Sequence, residues 1–152
     1  MPCTGGSVRS PQNLAKGGSA ADTVLAHRAL FESIWYNFIK AALLIHNRGG
    51  KVAIEWPIGC LYWKLPHVQQ FMRKIGITLY ARVDGCQLGF RTSTGGIPLK
   101  SFTVATNDQT LYDTLNSVRC DNSHKHEQLI GKAETEKSGH YTTAMARLIH
   151  KG

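Results

Sequence analysis

From Val24 onward, apolar residues recur at steps of three and four: Phe31, Ile34, Trp35, Phe38, Ile39, Ala42 and Ile45. That period predicts a long amphipathic helix with a wide buried face, N-capped by Asp22. Asn47 through Gly50 should end it, with Gly49 in the left-handed conformation. Lys51 to Trp56 reads as a short buried strand that Pro57 terminates. A turn rich in aromatics, with Cys60, Tyr62 and Trp63, leads into a three-turn helix. Pro66 opens that helix, Val68, Phe71, Met72 and Ile75 form its apolar side, and Gly76 closes it. Ile77, Leu79, Ala81 and Val83 then alternate as a strand as far as Asp84-Gly85. Gln87–Arg91 and Leu99–Ala105 are expected to pair as a hairpin around Thr94-Gly95-Gly96. Asn107 should cap a helix carrying Leu111, Leu115 and Val118. A last helix, from about Gly139 to His150, is expected to bury Tyr141, Met145, Leu148 and Ile149.

This order of elements predicts an α/β fold of three layers around a partly parallel sheet. Three segments follow from it: a flexible Gly/Ser-rich loop over 1–21, an α/β core over 22–106, and a helical extension over 107–152. With 152 residues, 42% of them apolar, the chain has enough material for one core. It contains no uncharged apolar window of about eighteen residues, so no membrane span is expected. The first twenty residues lack the apolar centre of a secretory signal, and an intracellular location, cytoplasm or nucleus, is the expectation.

The net charge of +8 is unevenly spread. Residues 1–50 hold five Lys/Arg against two acids, 51–106 hold seven against two, and 107–152 hold six of each. The basic excess lies on the first two-thirds of the chain. A polyanion, nucleic acid above all, is the expected partner, because phosphate neutralisation supplies most non-specific affinity.

Four cysteines at wide spacing, Cys3, Cys60, Cys86 and Cys120, do not make a secreted disulfide framework. Cys120, His124 and His126 cluster in a polar loop after a helix. Zinc takes four such ligands, and Cys86 in the Asp-Gly turn is the candidate for the fourth, with His140 and Cys60 as alternatives. The expected role is structural, pinning the C-terminal helix to the hairpin. No acid/base Glu stands beside the cluster as it would in a zinc deaminase.

Pro2-Cys3 on the loop Thr4-Gly5-Gly6, then a long helix, then a strand ending Ile54-Glu55, resembles the cytosine-5 DNA methyltransferases over roughly residues 2–106. Gly85-Cys86-Gln87 through Arg91, with Gly96-Ile97-Pro98 and the strand at Phe102, more loosely resembles the segment before that family's last core strand. The resemblance implies a fold like the C-terminal half of a Rossmann-like, S-adenosylmethionine-dependent methyltransferase core. It implies that Cys3 is the nucleophile toward C6 of a flipped cytosine and that Glu55 holds the ring at N3. Gln87, Arg91 and Arg82 would contact nucleic acid. The family has Pro-Cys-Gln and Glu-Asn-Val where this chain has Cys3-Thr4 and Glu55-Trp56-Pro57. If the helix is a crossover between neighbouring parallel strands, Cys3 and Glu55 should reach one carboxyl edge of the sheet.

No Gly-x-Gly-x-x-Gly occurs. The methyl donor, S-adenosylmethionine by the resemblance, would then need a missing N-terminal segment or a partner chain. Methyl transfer by this chain alone is not expected, and Cys3, with no strand before it, is expected to be mobile. The alternative is a non-catalytic, basic, zinc-stabilised module that binds nucleic acid or serves assembly in a mobile-element or viral protein. A degenerate fragment of such a polyprotein, without a function of its own, is a third reading.

Overall fold

Two antiparallel ladders organise the chain in a computed structural model, which describes residues 3–130, 133, 134 and 138–151. Strand β1 (Ala53–Pro57) pairs with β3 (Ser101–Thr106) from Ala53↔Thr106 to Pro57↔Phe102. Strand β2 (Leu79–Asp84) pairs with the other side of β3, from Leu79↔Thr106 to Asp84↔Ser101. The order is therefore β1-β3-β2. The expected partly parallel sheet, like the C-terminal half of a Rossmann-like methyltransferase core, is corrected: β1 and β2 run the same way, but β3 lies between them, antiparallel to both. The expected hairpin fails for the same reason, because both sides of β3 are already occupied. The would-be first strand, Gln87–Arg91, begins inside a 3-10 turn, Gly85–Leu88, and Gly89–Arg91 form no strand. A side chain at Gly85 would crowd the Lys100 carbonyl at 2.9 Å, so glycine lets the chain fold back there.

Helices cover both faces of the sheet. Helix α2 (Gly18–Asn47) and α3 (Pro66–Lys74) lie on one side. Phe31, Trp35, Val68, Phe71 and Met72 pack there against Ile54, Trp56 and Ala105. Helix α4 (Gln109–Asn116) and α5 (Thr143–Ile149) lie on the other. Leu115 and Met145 pack there against Ala81, Val83, Phe102 and Val104. Strand alternation accounts for the division, since Ile54 and Trp56 point one way and Glu55, between them, points the other.

Residues 3–21 are not a loop. Thr4–Gly6 forms a 3-10 turn and Ser10–Lys16 a helix, α1, with Pro11 in its first turn. Gly17, at φ 69°, breaks α1 from α2, so α2 starts at Gly18 rather than behind an Asp22 cap. The expected C-terminal stop holds: Gly49, at φ 79°, donates its N–H to His46 O at 2.9 Å. Asp108, not Asn107, caps α4, its carboxylate accepting from Leu111 N at 3.1 Å. Asn107 joins three elements instead, accepting from Val52 N (2.8 Å) and donating to Ile75 O (3.0 Å). The last helix begins at Thr143, which leaves Tyr141 outside it and half exposed rather than buried. Among the described residues, no helix is long and apolar enough to cross a membrane.

Candidate functional site

The carboxyl ends of β1 and β2 and the start of β3 share one edge of the sheet. Glu55 is the middle residue of β1, paired with Val104, rather than the strand end expected, and Tyr141 Oη donates to its Oε2 at 3.1 Å. Cys3 arrives there on the Thr4–Gly6 turn. The turn closes on itself through Gly6 N–H to Cys3 O (2.9 Å), and Arg28 of α2 donates to Gly5 O at 3.3 Å. A Cβ at Gly5 would overlap Tyr62 Oη, and one at Gly6 would stand 2.9 Å from Cys60 Sγ. Two glycines thus allow the thiol-bearing turn to lie flat against Cys60 and Tyr62. The expected mobility of Cys3 is corrected accordingly: the residue is half-buried against the α2/α3 core. Pro2 lies outside the described residues.

Electrostatics ties the two groups together. Burial raises the Cys3 thiol above its ordinary pKa, and the charge of Glu55 raises it further, while Lys100 opposes both. Burial also raises Glu55, against the Tyr141 hydrogen bond and the Lys100 charge that lower it. Lys100 is itself lowered by burial, and its ammonium donates to Ser138 O. Cys60 is pushed up to about 11 by burial, with smaller contributions from Cys3 and Glu55. Cys3, Glu55, Cys60 and Lys100 therefore form one electrostatically coupled group. Lys100 and Tyr141 carried no motif, and only folding brings them to the carboxylate.

Of the residues expected to contact nucleic acid, Arg82 is on β2, and Gln87 and Arg91 follow that strand. Gln87 is exposed on the 3-10 turn after β2. Arg82 donates to Asp84 Oδ1 at 3.1 Å, and Arg91 donates to the Phe90 carbonyl at 2.7 Å.

A second cluster lies beyond the end of β2. The ligand atoms of Cys86, Cys120, His124 and His126 all fall within 4.8 Å of one another, and the group could hold a metal ion. Cys120 Sγ is 3.7 Å from His124 Nε2 and 3.4 Å from His126 Nε2. A tetrahedral ion with bonds of about 2.3 Å to sulfur and about 2.0–2.1 Å to nitrogen separates its donors by roughly 3.3–3.8 Å. The two Cys120–imidazole distances fall in that range. Of the three candidates for the fourth ligand, Cys86 joins the group, whereas Cys60 faces Cys3 and His140 stays apart.

Asp84, 3% exposed, fixes the position of this cluster. It accepts from the Cys120 backbone N–H (3.0 Å), from Ser101 Oγ and from Arg82. Burial alone would raise its pKa, but those three hydrogen bonds hold it below the usual carboxylate range. The backbone N–H of Asn122 donates to Cys120 Sγ at 3.3 Å.

No protein-family model, curated protein or solved structure matches this chain.

Proposed function

We propose that this chain carries a cytosine-addressing edge like that of the cytosine-5 DNA methyltransferases, with Cys3 as nucleophile toward C6 and Glu55 as the acid at N3. The observation that supports it is the approach of a thiol and a carboxyl group, far apart in sequence, close enough for the Glu55 charge to act on the Cys3 thiol. Cytosine N3 is an acceptor, so the carboxyl facing it must carry a proton. Burial shifts Glu55 toward that state. Addition also needs a thiolate, and here burial works against Cys3, with Lys100 as the nearby positive charge that helps. The resemblance therefore suggests base capture more than rapid turnover. Methyl transfer would further need a segment that holds S-adenosylmethionine, which the described elements do not include.

A DNA oligonucleotide carrying 5-azacytosine tests this directly. Its electron-poor C6 accepts a thiolate without any methyl donor: the S–C6 bond forms, the C6=N5 electron pair moves to N5, and N5 takes a proton from solvent. Intact-mass spectrometry should find a covalent adduct at Cys3 that Cys3→Ala abolishes and Glu55→Gln slows at least tenfold, the scale on which one acid/base group acts. No adduct on the wild-type chain would remove the cytosine reading.

The second reading is a non-catalytic nucleic-acid-binding or assembly module, favoured by the basic excess of residues 1–106 and the Cys/His cluster. In either case we assign zinc to Cys86, Cys120, His124 and His126, because two cysteine sulfurs and two imidazoles gathered within 4.8 Å of one another suit that ion. A salt-dependent DNA affinity that Cys3→Ala and Glu55→Ala leave unchanged would select the non-catalytic reading.

A further inference from the structure

The metal cluster and the Glu55 edge share one short piece of chain. Cys86 lies in the Gly85–Leu88 turn. The residue before it, Gly85, donates its N–H to Lys100 O at 2.7 Å. Two residues after it, Leu88 O accepts from Thr142 Oγ1 at 2.7 Å. Thr142 caps α5, its hydroxyl accepting from Met145 N at 3.2 Å, and the residue beside it, Tyr141, holds Glu55. On the far side of the cluster, the chain leaving His126 is tied back by Glu127 N–H to Ile97 O at 2.8 Å and by Glu127 Oε2 to Thr92 and Thr94. Helix α5 contributes no metal ligand. Its position nevertheless depends on the turn that Cys86 anchors.

We infer that an ion held by Cys86, Cys120, His124 and His126 keeps Tyr141 on Glu55 and α5 on the sheet, so that metal occupancy governs the state of the Glu55 edge. This rests on the zinc assignment above and needs no cytosine chemistry. Without the ion, the Gly85–Leu88 turn loses its link through Cys86 to His124 and His126, and the hydrogen bond from Cys120 N–H to Asp84 is what still joins it to the 120–126 loop. The Thr142 and Lys100 contacts then rest on a segment held by hydrogen bonds, Gly85 N–H to Lys100 O and Cys120 N–H to the Asp84 carboxylate among them. Local openings of this kind have their own free energies, below that of global unfolding, and amide exchange reads them.

Hydrogen–deuterium exchange by mass spectrometry on the full chain tests the coupling, comparing zinc-loaded protein with protein stripped by a chelator, with zinc measured on the same samples. The expected result is loss of protection over 139–149, far from any ligand in sequence, together with 85–90 and 118–128, while α2 keeps its protection. Thr142→Val should lower protection over 143–149 with zinc still bound. Loss confined to 85–90 and 118–128, or a Thr142→Val variant that exchanges like wild type, would overturn the coupling. A wild-type chain that retains no zinc would overturn the metal assignment and the coupling with it.

Discussion

Cys120→Ser is expected to purify without metal, where the wild-type chain should carry one zinc per molecule by elemental analysis. Cys120 stands at the centre of the cluster, within 3.7 Å of both imidazole nitrogens, and its sulfur receives the Asn122 N–H. A serine hydroxyl is neutral at the same pH and a much weaker zinc ligand. Structural zinc contributes apparent binding free energies of about 10–16 kcal/mol in small zinc domains, so loss of one ligand of four has room for a large effect. The segment after α4 contributes few buried residues to either core, Met145 chief among them, so the metal adds to a hold otherwise made largely of hydrogen bonds. The variant should therefore melt at lower temperature, and added zinc should stabilise the wild type but not the variant. A variant that still holds stoichiometric zinc would exclude Cys120 as a ligand.

Trp56→Ala should remove about 3–5 kcal/mol of stability, the range for truncating a large buried aromatic. Trp56 is 0% exposed, and its ring lies 4.6 Å from Trp63, 5.8 Å from Tyr62, 5.9 Å from Phe31 and 6.0 Å from Trp35, centroid to centroid. It is the point where β1, α2 and the Leu61–Lys64 turn meet. Since domains of this size are stable by only about 5–15 kcal/mol, the variant should be close to unfolding at room temperature. The indole N–H has no hydrogen-bond partner among the described residues. Such a group is costly to bury, so Trp56→Phe should lose less than half as much in urea denaturation. Equal losses for the two variants would mean that ring volume is not what holds this junction.

The features legible in the sequence are those set by local chemistry. The period of α2, its stop at Gly49, and the alternation of Ala81 and Val83 depend on residues near one another, and each forms as expected. The metal group was half legible: Cys120, His124 and His126 are spaced within one loop, but the choice among Cys86, Cys60 and His140 depends on which turn the fold brings near. The position of β3 was not legible. Its burial on both faces is compatible with any central position, and only the competition among three strands decides that it runs antiparallel between β1 and β2. Lys100 and Tyr141 escaped notice because nothing at their own positions marks them; they matter through Glu55, which is remote from both in sequence. The 1–21 segment misled for a simpler reason. Its glycines suggested a loop, whereas Gly5 and Gly6 serve close packing and Gly17 joins two helices.

The approach of Glu55 to Cys3 is tested most directly by the pKa of the Cys3 thiol. It can be read from the pH dependence of iodoacetamide alkylation, followed at the Cys3 peptide by mass spectrometry. Burial and the Glu55 charge both disfavour the thiolate, so the wild-type rate should still be climbing above pH 9.0, the ordinary thiol value. Glu55→Gln removes one of those two influences, and the alkylation midpoint should move to lower pH while Cys60 stays protected. An identical midpoint in the two proteins would mean that the carboxylate does not face the thiol, and the cytosine-addressing edge would lose its basis.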